Sequence, residues 1–180
     1  MTGRLLLALH FNSDSFNSIM NVQKLTREEL HYADVIFKLR IHECNGQAYE
    51  DLFVSVFEKR RPGFKPVKPH GQAGDRKNDG YVQETGSYFQ VYAPEDASQK
   101  ITEAITKAKN DFAGLKAFWD SISPIKEYRF VFNDKFKGPY PEVEKALVDI
   151  RKAHQLSVSE CLFVTIKSSR GELLCSSIVL

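Results

Sequence analysis

Gly74-Asp75-Arg76-Lys77-Asn78-Asp79-Gly80-Tyr81-Val82-Gln83-Glu84-Thr85-Gly86-Ser87-Tyr88-Phe89-Gln90-Val91-Tyr92 is the stretch from which the architecture can be read outward. Asn78 to Val82 and Ser87 to Tyr92 are short aromatic and β-branched runs, and Gln83-Glu84-Thr85-Gly86 between them has the composition of a hairpin turn. Two antiparallel strands are therefore expected, the second stopped by Pro94. Upstream, the prolines at 66 and 69 forbid a central strand, so Phe64 to Gln72 is an edge strand or a loop carrying its basic residues outward.

Helices are expected on both sides of this hairpin. Thr26, followed by Glu28 and Glu29, opens a helix within 24 to 44 that places Leu30, Ala33, Ile36, Phe37, Leu39 and Cys44 at three- and four-residue steps. After Asn45-Gly46 a second helix runs from about Gln47 to Arg61, with Tyr49, Leu52, Phe53, Val56 and Phe57 on one face, and Pro62-Gly63 ends it. From about Ser98 to Ile122 the residues Ile101, Ile105, Ala108, Phe112, Leu115 and Trp119 form a continuous stripe, which predicts a long helix facing a core. Tyr128 to Phe132 is a buried strand, Pro141 opens a helix bearing Val143, Ala146, Leu147 and Ile150, and Leu162 to Ile166 and Leu173 to Leu180 supply further strands. A helix between Tyr92 and Tyr128 demands a crossover, so those two strands should be parallel while the hairpin is antiparallel. The fold expected is α/β: a three-layer core, a mixed sheet flanked by helices, in one domain spanning 1–180.

Composition narrows the function classes. Hydrophobic residues make up 42% and charged residues 27% of the 180, which suits a folded globular chain rather than a disordered one. Leu5 to Leu9 is too short an apolar run for an export signal, and no window approaches the roughly 20 apolar residues of a membrane span, so a cytoplasmic protein with no membrane partner is expected. Cys44, Cys161 and Cys175 offer neither a disulfide framework nor a CxxC knuckle, and are expected to be reduced and partly buried. The five histidines lack HxxxH or HxxE spacing, which argues against zinc. Neither a phosphate-binding glycine loop nor a nucleophile elbow is present.

The net charge of +2 is unevenly spread. Lys59, Arg60, Arg61, Lys65, Lys68, Arg76 and Lys77 stand against the single acid Asp75, a local excess of +6. Clustered cations of this kind displace counterions from phosphates, making Arg60, Arg61, Lys65, Lys68 and Arg76 candidate nucleic-acid contacts. The competing reading is a solvated loop.

Chemistry points to the same segment. Hydrolysis of a phosphodiester with a metal ion needs acidic or amide oxygens to hold Mg²⁺ and a cation nearby to offset charge. Asp79 on one hairpin strand and Gln90 on the other are spaced to meet at one ion. Side chains at i and i+2 of a strand share a face, so Lys77 would point with Asp79 if 77 to 79 are extended; otherwise it is a turn lysine. Asp79-Gly80 also suits a plain turn, and Glu95 and Asp96 suit the lead-in and cap of the long helix.

Gly74-Asp75-x-x-x-Asp79-Gly80, followed by an aromatic residue and Gln90, resembles the signature of the Mrr-like restriction nucleases within the PD-(D/E)XK superfamily. Tyr49-Glu50-Asp51-Leu52 stands where that family has its aromatic-Glu-x-aliphatic helix, and the element order from Gln47 to about Ile166 matches the restriction-endonuclease-like core. The resemblance covers 47–167 and leaves 1–45 as an N-terminal extension with one helix. It implies a Mg²⁺-dependent DNA endonuclease of phage defence or restriction, with Asp79, Glu50 and Gln90 as metal ligands. One departure stands out: the family's catalytic lysine position is occupied by Tyr92, a neutral phenol at pH 7. Either the ammonium has moved, with Lys77 the first candidate and Lys100 a weaker one, or the fold is a catalytically inactive module binding DNA or a partner protein in a larger assembly.

Overall fold

The computed structural model describes the backbone of residues 26–69, 74, 76–167 and 173–179, and the side chains of these as far as residue 158. In chain order the elements are α1 (Arg27–Glu43), α2 (Gly46–Arg60), β1 (Phe64–Pro66), β2 (Gly80–Val82), β3 (Ser87–Tyr92), a 3-10 turn (Ser98–Lys100) leading into α3 (Ile101–Trp119), β4 (Glu127–Phe132), α4 (Pro141–His154), β5 (Ser157–Lys167) and β6 (Leu173–Val179). The strands form one mixed sheet in the order β1-β2-β3-β4-β5-β6. β1, β2 and β3 are antiparallel, β3, β4 and β5 run parallel, and β6 returns antiparallel on β5. The parallel pairing of β3 with β4 follows from the crossover through α3, as the sequence requires.

Local chemistry sets the element ends. Thr26 and Glu29 form a reciprocal capping box at the start of α1. Pro141 occupies the first turn of α4, where its missing N–H costs nothing. Asp96 accepts the Ser98 backbone N–H at 3.0 Å and the Ser98 hydroxyl at 2.6 Å, the lead-in expected for the long helix. That helix stops at Trp119 rather than Ile122, because Asp120 turns its carboxylate onto the Ile125 N–H at 3.0 Å and shapes the following turn. β2 begins at Gly80 rather than Asn78, and β5 is longer than the apolar run Leu162 to Ile166 suggests. The final strand is present over Leu173–Val179.

Period-two alternation along β3 and β4 divides the core in two. Phe89, Val91 and Val131 face α2, where they meet Tyr49, Phe53, Phe57 and Phe64. Tyr88, Tyr128, Phe130 and Phe132 face α3 and α4, against Ala104, Ala108, Phe112, Leu115, Val143 and Leu147. Of the stripe expected on the long helix, Ala108, Phe112 and Leu115 are buried, while Ile101, Ile105 and Trp119 are partly buried against the same core. α1 is less deeply seated: Leu30 and Ile41 are buried, but Ile36 and Leu39 are exposed. Its C-terminal carbonyls are held from the loop after β4, with Asn133 Nδ2 donating to Ile41 at 2.9 Å and to Cys44 at 3.0 Å. Cys44 is a free thiol and half-buried. Among the described residues no helix is long and apolar enough to cross a membrane.

Candidate functional site

The residues from Arg76 to Asp79 run along α3 and then enter β2, and this passage builds the site. Arg76 and Lys77 have φ of 55° and 64°. This left-handed backbone is uncommon for side-chain-bearing residues and re-aims each successive side chain. Arg76 lies over the Phe118 ring, 4.9 Å from its centroid. Lys77 reaches Asp111 Oδ1 at 3.1 Å, its stem against Gly114, where a Cβ would stand 3.0 Å from Lys77 Cγ. Asp79 then turns into the sheet: its N–H donates to Phe89 O at 3.0 Å and places it opposite Gln90.

Asp79 and Gln90 are both buried. Gln90 Nε2 donates to Asp79 Oδ2 at 2.8 Å, and the Val91 N–H donates to the same oxygen at 2.5 Å. Gln90 Oε1 is buried and accepts no hydrogen bond. A buried carbonyl in this state is rare enough to need a reason. Gly80 follows because no side chain fits there: a Cβ would sit 2.3 Å from Phe64 Cζ, inside the aromatic packing of the other face. Asp79-Gly80 therefore opens a strand and is not a plain turn.

Helix α3 contributes groups that the apolar stripe hides in the sequence. Asp111 is 3% exposed and lies between two ammonium groups, Lys77 at 3.1 Å and Lys107 at 2.5 Å. Lys107 Nζ also stands 5.9 Å from the Tyr92 ring centroid. Tyr92 is stacked on Phe132, with centroids 5.8 Å apart, and on Phe130. Its hydroxyl faces Glu103 without a hydrogen bond of ordinary geometry, and burial, followed by the Glu103 carboxylate, pushes the phenol well above its usual pKa. Tyr128 is fully buried and its phenol is raised as well, first by burial and then by the Asp111 and Asp79 carboxylates. Asp79, Gln90, Asp111, Lys77, Lys107 and Tyr92 thus lie around one side of the sheet, beneath α3.

The expected site residues separate on this geometry. Asp79 and Gln90 are brought together. Lys77 is not extended beside Asp79, since its left-handed backbone sends its ammonium to Asp111. Lys100 pairs with Glu103 at 2.8 Å on the exposed start of α3. Glu50 is half-buried one turn into α2, whose first N–H, that of Gly46, donates to Ala93 O just beyond β3 at 2.7 Å. Its helix packs on the opposite face of the sheet from α3. Arg60, Lys65, Lys68 and Arg76 are exposed and Arg61 is half-buried. Asp75 lies outside the described residues. The residues missed were Asp111 and Lys107. Their signal is an acid in the inward stripe Ala104, Ala108, Asp111, Leu115 with a lysine one turn before it.

The donor set tests the fit of a Mg²⁺ ion. Asp79 and the unsatisfied Gln90 oxygen are hard donors of the kind Mg²⁺ takes, and that ion commonly keeps water and substrate phosphate for its other positions. Among the described residues no group of three His, Cys, Asp or Glu side chains is arranged as a metal cage. Both residues are buried, and it is Gln90 Nε2 that faces the Asp79 carboxylate, so the amide oxygen is the donor left over for an ion. Comparison of the chain with models of protein families, with curated proteins and with solved structures gives no significant match.

Proposed function

We propose that the chain is a restriction-endonuclease-like domain acting as a Mg²⁺-dependent DNA endonuclease, with Asp79 and Gln90 as the metal-holding pair. The observation that carries this reading is the buried Gln90 carbonyl oxygen, left without a donor beside a buried carboxylate. The succession α2, β1, β2, β3, α3, β4, with an antiparallel meander joined to a parallel strand, supports the core that the resemblance implies. Glu50, the acid the resemblance would add, belongs to α2 on the opposite face of the sheet and is left out of the Asp79–Gln90 pair. A metal held there would lower the pKa of its bound water and offset charge on the phosphate. The chain's own residues supply the rest: Lys107 is the ammonium standing against the Tyr92 ring, and Asp111 anchors both it and Lys77. Restriction or phage defence is the setting suggested by family analogy alone.

A second reading has its own observation. Asp79 Oδ2 already accepts two hydrogen bonds, and Tyr92 is fixed in an aromatic pile where the family keeps its lysine, as a catalytically silent DNA- or protein-binding module would have it. Nicking of supercoiled plasmid with Mg²⁺ or Mn²⁺ separates the two. The enzyme reading expects wild-type nicking that falls by about 10²–10³ in Asp79→Ala and in Lys107→Ala, with a smaller loss in Lys77→Ala. No nicking by wild type at any concentration, with a trace gained in Tyr92→Lys, favours the silent module. Nicking that survives Asp79→Ala at full rate overturns both.

A further inference from the structure

The passage that positions Asp79 also assembles a run of ring faces and cations. Arg76 lies over Phe118, 4.9 Å from the ring centroid. Phe118 meets Trp119 edge-on at 5.6 Å, Trp119 meets Tyr81 at 5.2 Å, and Lys65 Nζ stands 5.8 Å from the Tyr81 centroid. Tyr81 is in turn stacked on Tyr88 at 5.6 Å, so the band is rooted in the core and not carried on a loose loop. Phe118 is 39% exposed, and Tyr81 and Trp119 are half-buried. One exposed ring on a surface needs no explanation. A rooted series of three, with Arg76 at one end and Lys65 at the other, both drawn from the 59–77 segment that carries a charge excess of +6, does.

We propose that Lys65, Tyr81, Trp119, Phe118 and Arg76 form a stacking platform for unpaired bases, so that nucleic acid reaches the Asp79–Gln90 site single-stranded. This deepens the nuclease reading and rests on it. Every base has a π-face, and cations beside stacking rings take the phosphates that join successive bases, which is how single strands are held without sequence preference. In a duplex those faces are already stacked on one another, and the band offers little to read groove edges. Position agrees with chemistry. Arg76 lies three residues before Asp79, and Tyr81 lies two residues after it on the same side of the strand, so the band is carried by the same passage that holds Asp79.

Trp119 is the only tryptophan in the chain, so its emission reports on this surface alone. The experiment titrates the full chain, at low salt, with a 20-nucleotide oligo-dT and with a 20-base-pair duplex, following Trp119 emission and the anisotropy of labelled strands. Oligo-dT should quench Trp119 and bind more tightly than the duplex. Phe118→Ala, at an exposed position, should weaken oligo-dT by about 5- to 150-fold while leaving the duplex affinity within twofold. Arg76→Ala is the companion variant, expected to weaken oligo-dT and flatten its salt dependence, with circular dichroism verifying that both variants are folded. Equal binding of the two forms, unchanged by Phe118→Ala and without quenching, overturns the platform and leaves the nuclease reading standing. Absence of binding by either form at low salt overturns both.

Discussion

The two faces of the sheet differ in how much of their packing is aromatic and in how deeply they bury charge. Against α2, the rings of Phe53, Phe57, Phe64 and Phe89 pack with centroids 4.2 to 5.8 Å apart, and the charge on this face is the half-buried Arg129–Glu127 ion pair at 2.8 Å, whose Arg129 lies 5.9 Å from the Phe89 ring centroid. Against α3, the same strands bury Asp79 and Gln90, the helix buries Asp111, and Gln90 Oε1 and the Tyr92 hydroxyl lack hydrogen bonds. Buried polar groups cost free energy unless fully satisfied, so a fold optimised for stability alone would not place them there. The contrast assigns stability to the α2 face and chemistry to the α3 face, the pattern expected where local rules are broken at a working site.

The largest effect should come from the aromatic α2 face. Phe53 is fully buried at the centre of the aromatic cluster, so Phe53→Ala should lower unfolding free energy by about 3–5 kcal/mol in a urea titration. A loss below about 1 kcal/mol would break the assignment of stability to this face. Gly80 sits where the two faces meet, and Gly80→Ala drives a Cβ into the Phe64 ring. The ring is boxed in by Phe53, Phe57 and Phe89, and a cost of about 1–3 kcal/mol is expected.

On the other face, Asp79→Ala strands the Gln90 amide and the Val91 N–H, and should cost about 1–3 kcal/mol. Asp79→Leu fills the space yet leaves both donors without an acceptor, so it should recover little. If Asp79→Ala proves as stable as wild type, the donors have found water, and the site is more open than its burial indicates.

Most of the architecture was legible because periodicity states it directly: Ser87 to Tyr92 alternates as a strand must, and Ile101 to Trp119 steps as a buried helix must. Asp79 and Gln90 were legible as a pair because antiparallel pairing brings such positions opposite. Of the two readings of Lys77, the extended one beside Asp79 fails and the turn one holds, and the sequence could not choose between them because nothing in Arg76-Lys77 announces left-handed backbone; neither residue is Gly or Asn, and the Arg76–Phe118 and Lys77–Asp111 contacts that accompany it are made to distant residues. Asp111 and Lys107 were overlooked for a related reason. A stripe counted only in apolar residues passes over the one acid inside it, and of the two ammonium groups that pair with Asp111 one, Lys77, lies 34 positions away in sequence.

The smallest effect at neutral pH sharpens the comparison most, because it isolates one polar atom on the α3 face. The Tyr92 hydroxyl makes no hydrogen bond of ordinary geometry, so Tyr92→Phe should keep the stacking on Phe132 and Phe130 and change stability at pH 7 by no more than about 0.5 kcal/mol. Alkaline pH should separate the two proteins. Burial, and then Glu103, hold the folded-state pKa of Tyr92 above its unfolded value of about 10. Below pH 10 both folded and unfolded chains carry the proton, and the group contributes no pH dependence. As pH rises past 10 the unfolded chain releases the proton first, so wild type loses stability over an interval in which Tyr92→Phe does not. Tyr88 and Tyr128 are shifted in the same direction, but both proteins retain them, and lysine titration is likewise common to the pair. The difference between urea midpoints should therefore grow in favour of Tyr92→Phe from pH 9.5 to 11. Midpoints that stay parallel across that range would mean that the phenol ionises as readily in the fold as in the open chain, and that position 92 is far better hydrated than its packing implies.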